Sequence, residues 1–408
     1  MSESRISVVG GVYAERCISP DWNAVYGSAG RAATAISTLG LEVALHAYMS
    51  DETLAQMQAV SCLLQNFSLA PTRCASEVRF RYLHDLATPE IFGVPASPLP
   101  PISVSASRVM RFGMLESNAI LDADWAVYDP QNQGSAEPFG MNGSRANHLA
   151  LVLNLTEARK MSSLADGSAQ DCAAAILKSQ AAEVVVVKLG PQGALVAHGT
   201  DVHHVPAYRS ESVWKIGSGD VFAATFAAQW MGKGWSPEAA ADFASRATAI
   251  YCGHRGFPTE QEVEQAQLRP IAVARVPAGE RKRKVYLAGP FFDLAQIWMV
   301  EQARLNLHEV GLDVFSPFHD IGLGSAHDVA ARDLEALDTC DLVFAIADGA
   351  DTGTVFEVGY AIAKKKPVIV FSQRESEESL KMLTGTGCAI CNEYATAVYK
   401  TLWAAAEL

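Results

Sequence analysis

The chain has 408 residues, 49% of them apolar and 19% charged, with a formal net charge of −13; this is too long for one ordinary core, enough for two α/β domains, and unlike disordered or fibrous protein. The acidic balance argues against a nucleic-acid partner, since such affinity comes from Lys and Arg neutralising phosphates, and no apolar run suits a signal peptide or membrane span, so a cytoplasmic protein without a membrane partner is expected. The eight cysteines read as reduced thiols, and the lone Cys388-x-x-Cys391 lacks the second pair of a zinc site, so no directly bound metal is expected.

Short β-rich runs alternate with amphipathic stretches, the sign of sheets layered by helices. Ile6 to Val9 reads as a first strand entering Gly10-Gly11, and the Gly- and Ala-rich stretch from Gly27 to Ala35 as a tightly packed helix ending near Leu39-Gly40. From Glu77 to Tyr82 polar and apolar residues alternate, placing Val78, Phe80 and Tyr82 on one face of a half-buried strand that suits a lid over a substrate. Asn154-Leu155-Thr156-Glu157 follows an apolar strand, and Lys188-Leu189-Gly190-Pro191-Gln192-Gly193 follows the β-prone Val184 to Val187. Gly217-Ser218-Gly219-Asp220 then opens an apolar helix. Amides at such a helix start can hold a phosphate, and Asp220 in the first turn can take a proton from an attacking hydroxyl, although a plain capping turn uses the same residues.

In order and spacing these three motifs resemble the ribokinase-like pfkB family of carbohydrate and nucleoside kinases, over roughly residues 5 to 262. The resemblance implies a three-layer α/β/α fold with a β lid, ATP and Mg2+ as cofactors, and Asp220 as catalytic base. It places Gly217, Ser218 and Gly219 in an anion hole, Lys188, Gly190 and Gly193 at the nucleotide, and Asn154 and Glu157 as organisers of magnesium and phosphates. The family's usual Asp-Thr before the glycine turn is replaced by Trp214-Lys215-Ile216. Its sugar-gripping Asp falls at Glu15, and the Asn of its second glycine motif at Arg31, which offers planar donors for an anionic substrate or serves as a surface ion-pair partner.

The first domain is expected over 1–262, and a linker over 263–283, where Pro270, Pro277 and the basic Arg281-Lys282-Arg283-Lys284 interrupt the pattern. A second domain, 284–408, begins with the strand Val285-Tyr286-Leu287-Ala288, a Gly289-Pro290 turn and a helix through Glu301 and Leu307 that ends near Gly311. Ser325 and Asp328 have capping-box spacing at the start of a helix carrying Asp333, ahead of the strand Leu342 to Ile346. Asp351-Thr352-Gly353 then feeds an apolar helix ending at Lys364 to Lys366, with Glu357 read in its first turn, where the helix dipole would keep it ionised.

The G-x-x-x-E-x-G-x-A pattern after Asp351 resembles the nucleoside 2-deoxyribosyltransferase family and its N-glycosidase relatives, over about residues 284 to 372. The resemblance implies a flavodoxin-like, doubly wound parallel sheet, no cofactor, and Glu357 as a nucleophile that forms a glycosyl-enzyme ester. Asp333 would assist the base or the sugar, Asp351 would hold the sugar 5′ side, and Tyr286 would position Glu357, with Gly289 and Gly353 allowing close approach to a nucleoside. An acid at 351 suits a free 5′-hydroxyl better than a 5′-phosphate, which favours nucleosides over nucleotides. Taken together, the sequence describes a bifunctional enzyme acting on a nucleoside or sugar and a nucleobase, and assembling as a homodimer or higher oligomer. Two alternatives stand beside it: a non-catalytic kinase-like sensor regulating the second domain, and a hydrolase of a nucleotide such as NAD.

Overall fold

The computed structural model describes residues 5–131, 136–271, 282–322 and 324–408. The chain divides into two units: Met1–Ser210 with Trp214–Pro270, and Glu211–Val213 with Ile271–Leu408.

In the first unit the strands and helices follow as β1 (Ile6–Val9), β2 (Ala14–Ser19), β3 (Trp22–Val25), α1 (Gly27–Thr38), β4 (Val43–Met49), α2 (Asp51–Cys62), β5 (Phe67–Arg73), β6 (Arg79–His84), β7 (Glu90–Phe92), β8 (Ile102–Phe112), β9 (Ala119–Asp129), β10 (Arg145–Asn154), α3 (Leu155–Ser162), α4 (Ala169–Ser179), β11 (Val184–Lys188), β12 (Ala194–His198), β13 (Asp201–Val205), α5 (Ser218–Ala227), α6 (Pro237–His254) and α7 (Glu260–Gln265). Nine strands form one sheet in the order β13-β12-β11-β10-β9-β8-β1-β4-β5. It is parallel except for the antiparallel pairings of β11, β12 and β13 at one edge.

Helices on both faces explain the unbroken apolar runs of its strands, because a sheet buried on two sides needs no polar alternation. Ala150, Val152, Val184 and Val186 enter one core with the α1, α5 and α6 side chains. Their neighbours Leu151, Leu153, Val185 and Val187 enter the other, with Cys172, Ala173 and Ile176 of α4. This is the expected three-layer arrangement. A separate four-stranded sheet, β3-β2-β6-β7, supplies the lid, and its β6 strand carries Phe80 and Tyr82, as the alternation from Glu77 to Tyr82 predicts.

The expected end of this domain at residue 262 falls inside α7. Thr259 caps that helix and its Val263 is fully buried in the core, so the first unit continues to Pro270. Of the expected linker, residues 272–281, including Pro277 and Arg281, lie outside the described residues.

The second unit runs β14 (Lys284–Ala288), α8 (Leu294–Glu309), β15 (Asp313–Phe315), α9 (Pro317–Asp320), α10 (Ala326–Thr339), β16 (Leu342–Ile346), α11 (Thr352–Ala363), β17 (Val368–Phe371), α12 (Glu377–Gly385), β18 (Ala389–Cys391) and α13 (Tyr394–Ala406). All its pairings are parallel, in the order β15-β14-β16-β17-β18. Numbered within the unit this is 2-1-3-4-5, the flavodoxin-like order, whose direction of winding reverses between β14 and β16 and opens a crevice at their carboxyl ends. Tyr286, Ala288, Val343 and Ala345 pack against Leu337 of α10 and Val358 and Ala361 of α11.

Candidate active sites

In the first unit a cavity of about 440 Å³ lies at the carboxyl ends of the central strands. Its wall includes Glu15, Asn154, Glu157, Lys188, Gly190, Gly217, Ser218, Gly219 and Asp220, so residues drawn from distant motifs meet at one place. Gly217 has φ of +75° at the start of α5 and no side chain caps that helix, although the Ser218 amide already donates to the Lys215 carbonyl at 3.2 Å; an uncapped helix start can bind an anion. Lys215 Nζ lies 3.0 Å from Ser218 Oγ, adding positive charge at the same turn. Gly190 borders the cavity with open space around it, whereas Gly193 serves the turn itself: at φ +85° a side chain there would strike the Val205 carbonyl.

Asp220 is buried and held through both oxygens. Arg31 Nη1 donates to Oδ2 at 3.0 Å, and the Gln131 amide donates to Oδ1. Arg31 Nη2 reaches Glu15 Oε2 at 2.6 Å, and its Nε donates to Tyr251 Oη at 3.2 Å. Arg31 is only 1% exposed and Tyr26 and Gly217 pack against it. It is therefore neither a surface ion-pair partner nor part of the cavity wall. It is a bracket behind the floor, tying together two carboxylates that face the ligand space. Burial raises the Glu15 carboxyl despite this contact.

Asn154 and Glu157 form a reciprocal capping box at α3: Asn154 Oδ1 accepts from the Glu157 amide, and Glu157 Oε2 from the Asn154 amide, each at 2.8 Å. Both still line the cavity, so their first task is to fix the helix that presents them. Among the described residues no group of three or more His, Cys, Asp or Glu side chains is arranged to hold a metal ion.

Several members of this site escape sequence reasoning. Lys188 Nζ lies 2.5 Å from Asp129 Oδ2, and Asp129, fully buried with Oδ1 unpartnered, is pushed upward by burial. Gln131, two residues further along, also bonds Ser28. The polar Asp129-Pro130-Gln131 ending the apolar β9 strand was the available signal.

In the second unit Tyr286 projects from the middle of β14, and its hydroxyl donates to Glu357 Oε1 at 2.6 Å. Glu357 is the sixth residue of α11 counted from Thr352, so it stands in the second turn rather than the first. The helix dipole fades beyond the first turn, and it does not set the charge here. Burial instead pushes the Glu357 carboxyl up to about 7, against the lowering effect of the Tyr286 hydrogen bond and reinforced by Asp333 and Asp351.

Asp333 is half-buried on α10, with Oδ1 buried and unpartnered, and burial raises its pKa. Its charge acts on both Glu357 and Tyr286, so the three groups share one neighbourhood. Asp351 is the N-cap of α11: Oδ2 accepts from the Thr354 amide at 2.8 Å and from the Thr354 hydroxyl at 3.0 Å. Gly289 is close to β16, where an added Cβ would lie 3.2 Å from Ile346, so strand packing accounts for it. A Cβ added at Gly353 would lie 3.1 Å from Asp351 Oδ2.

Chemically, the first site offers a fixed carboxylate beside an uncapped helix start and lysines, the parts that in-line transfer of a phosphoryl group requires. The second offers an oriented carboxylate in a neighbourhood of acids, the parts of nucleophilic displacement at a glycosidic carbon.

Comparison with known proteins agrees with this division. Residues 141–262 match the model of the pfkB family of carbohydrate kinases, and residues 285–393 that of the nucleoside 2-deoxyribosyltransferases. The first unit is similar in fold to a fructokinase from Vibrio cholerae O395 solved with fructose, ADP and calcium ion, with 15% identity, a TM-score of 0.50, and coverage of 65% of this chain and 99% of that one. A ribokinase from Cryptococcus neoformans var. grubii serotype A in complex with ADP gives 17% identity, a TM-score of 0.50, and coverage of 65% and 99%. An uncharacterized protein of Ureaplasma parvum serovar 3 is 34% identical over 103 residues, 22% of this chain. The chain spans 65% of that relative's length. Among the described residues no helix is long and apolar enough to cross a membrane.

Proposed function

We propose, on the premise that the chain joins a pfkB-type carbohydrate kinase domain to a nucleoside 2-deoxyribosyltransferase-type domain, that it is a bifunctional enzyme of nucleosides and their sugars. The C-terminal unit cleaves or exchanges an N-glycosidic bond, and the N-terminal unit phosphorylates a sugar or nucleoside hydroxyl. The observation that carries the reading is the 2.6 Å hydrogen bond from Tyr286 to Glu357, which aims a carboxylate held by the second turn of α11.

In the glycosidic step the ionised Glu357 attacks the anomeric carbon, the C–N bond breaks, and the base leaves with the electron pair. The departing base takes up its proton from water, and Asp333, whose charge acts on the same neighbourhood as Glu357, orients the base or the sugar. Water or a second base then displaces Glu357 from the sugar, giving hydrolysis or exchange respectively. Asp351 orients the sugar 5′ side while capping its helix.

For the kinase step the uncapped helix start at Gly217 to Gly219, with Lys188 and Lys215 nearby, fits a phosphate chain, and these residues would hold ATP, with magnesium organised beside Asn154 and Glu157. ATP supplies the transferred phosphoryl group. Asp220 takes the proton from the acceptor hydroxyl, and its two hydrogen bonds hold it in place for that task. Those bonds also favour a second reading, in which a clamped Asp220 leaves the first unit as a ligand-binding regulator. The exposed Phe292, Leu294, Val355 and Phe356 of the C-terminal unit support self-association into a dimer or larger assembly.

The test is to incubate the purified chain with deoxynucleosides, ribonucleosides and free base, with and without Mg-ATP, beside Glu357→Ala and Asp220→Asn. The bifunctional reading expects glycosidic chemistry lost in the first variant and phosphorylation lost in the second. Glycosidic chemistry with no ATP turnover would select the regulatory reading, and no glycosidic chemistry would overturn the C-terminal assignment.

A further inference from the structure

The N-terminal cavity has two chemically distinct sides. One carries Glu15, Asp220 and the phosphate-binding turn. The other is apolar and aromatic: Tyr13, Phe80, Tyr82, Ile91, Met114 and Leu115. A free sugar engages the first side and leaves the second facing water.

The aromatic side is fixed in place. The Tyr13 hydroxyl donates to Glu116 Oε2 at 3.0 Å and accepts from the Leu115 amide at 2.8 Å. Its ring packs over Gly11, where a Cβ would lie 2.0 Å from Cζ, so no other residue fits beneath it. The ring stacks on Phe80 at 5.1 Å and 25°, and Phe80 on Tyr82 at 6.3 Å and 23°. Both polar atoms buried here, the Tyr13 hydroxyl and the Glu116 carboxylate, are satisfied. The wall is therefore an ordered surface, with the cost of arranging it met by the protein before any ligand arrives.

The register of the lid sheet places this wall beside the sugar-facing acid. Glu15 of β2 pairs with Phe80 of β6, and Phe80 pairs in turn with Ile91 of β7. One row across the sheet thus runs carboxylate, aromatic ring, aliphatic side chain, with about 4.8 Å between adjacent strands. A hydroxylated ring held by Glu15 and Asp220 puts any substituent on its far side against Phe80. A planar, weakly polar substituent gains by stacking there; a hydroxyl gains nothing.

We infer that the acceptor of the N-terminal site is a nucleoside, its sugar on Glu15 and Asp220 and its base against the Tyr13-Phe80-Tyr82 wall. This deepens the kinase reading above and rests on it. Both units then work on the same chemical class, one at the glycosidic bond and the other at a sugar hydroxyl.

The experiment uses the full chain in the Glu357→Ala background, so that nucleosides stay intact, and measures phosphoryl transfer from Mg-ATP to nucleosides and to free pentoses and hexoses. Nucleosides are expected to show a KM at least 10-fold below that of free pentoses, in line with the stacking energy of one base. Phe80→Ala raises the nucleoside KM about 10-fold more than it raises the pentose KM, while Phe80→Tyr retains nucleoside affinity and controls for folding. Preference for a free sugar, or an equal KM increase for both classes in Phe80→Ala, overturns the inference. If no acceptor is phosphorylated, the kinase reading fails and the acceptor role with it, and calorimetry then reads nucleoside binding alone. An affinity about 10-fold weaker at one nucleoside site in Phe80→Ala upholds the base wall, and unchanged affinity overturns it.

Discussion

Arg31 and Asp220 meet at 3.0 Å although 189 residues separate them, and the same guanidinium holds Glu15 from its other end. Because Arg31 is almost wholly buried, removing it strands two carboxylates in a low-dielectric floor. Arg31→Ala is expected to cost about 3–5 kcal/mol, the scale of breaking a buried ion pair by one partner. Hydrogen exchange read on α1 and β2 checks this locally, and unchanged protection there would refute the bracket role. Arg31→Lys retains the charge but not the planar fork, so it should lie between wild type and Arg31→Ala while still losing most phosphorylation.

Raising the Glu357 carboxyl to about 7 has consequences for rate and for stability. The ionised form is the nucleophile, so kcat/KM for base exchange should fall about tenfold per unit as pH drops below about 7. Tyr286→Phe removes the hydrogen bond that lowers this pKa, and its acid limb should move up by about one unit. Between the ordinary 4.5 and about 7 the folded chain holds a proton that the unfolded chain has released, so this group's contribution to stability declines as pH rises through that window. Glu357→Gln should therefore match wild type near pH 4.5 and exceed it by roughly 1 kcal/mol at pH 8, after allowance for partial exposure. A pH-independent difference in melting temperature would contradict this assignment.

What the sequence disclosed follows from locality. Val184 to Val187 announce a doubly buried strand, and Ser325 with Asp328 announces a helix start, because periodicity and capping are written within a few residues. Glycine turns at Gly190 and Gly217 are legible for the same reason, since their backbone angles demand glycine. The wiring of the sites is not local. Gln131 meets Asp220 across 89 residues, and Tyr13 meets Glu116 across 103, contacts that only the order of strands in the sheet creates. Arg31 shows the limit well: its place in a small-residue helix was legible, but whether it faced ligand, solvent or carboxylates was decided by β2 and α5 folding over it. Glu357 was misplaced by one turn, because Thr352, Gly353 and Thr354 do not themselves reveal that Asp351 is the cap.

Asp351 carries two roles that substitution can separate. As N-cap of α11 it accepts from Thr354, and Asp351→Ala should lose about 1 kcal/mol, while Asp351→Asn keeps an equivalent acceptor. If the carboxylate also grips the sugar 5′-hydroxyl, Asp351→Asn will retain stability but raise KM for nucleosides about tenfold, since a charged acceptor binds a hydroxyl more strongly than a neutral one. The measurement is KM for 5′-hydroxyl and 5′-deoxy nucleosides side by side. Equal KM values for the two substrates in wild type would confine Asp351 to capping.

Gly217 tests whether the phosphate turn and the buried bracket are one structure. Its φ of +75° already disfavours a side chain, and an added Cβ would lie 2.0 Å from Arg31 Nε, a distance no van der Waals contact permits. Gly217→Ala must therefore push the guanidinium away from Asp220, and the strain of the left-handed backbone adds to the cost, together about 2–4 kcal/mol. A substitution that only stiffened a loop would weaken ATP binding and leave the acceptor side intact. Here the expected signature is different: phosphorylation falls by at least 100-fold, with kcat hit harder than the KM for ATP, because the displaced partner is that of the base. Pairing Gly217→Ala with Arg31→Ala gives the decisive measurement. If the clash is the cause, the double variant is less destabilised than the sum of the two singles by 1 kcal/mol or more, whereas strict additivity would show that the glycine serves backbone conformation alone.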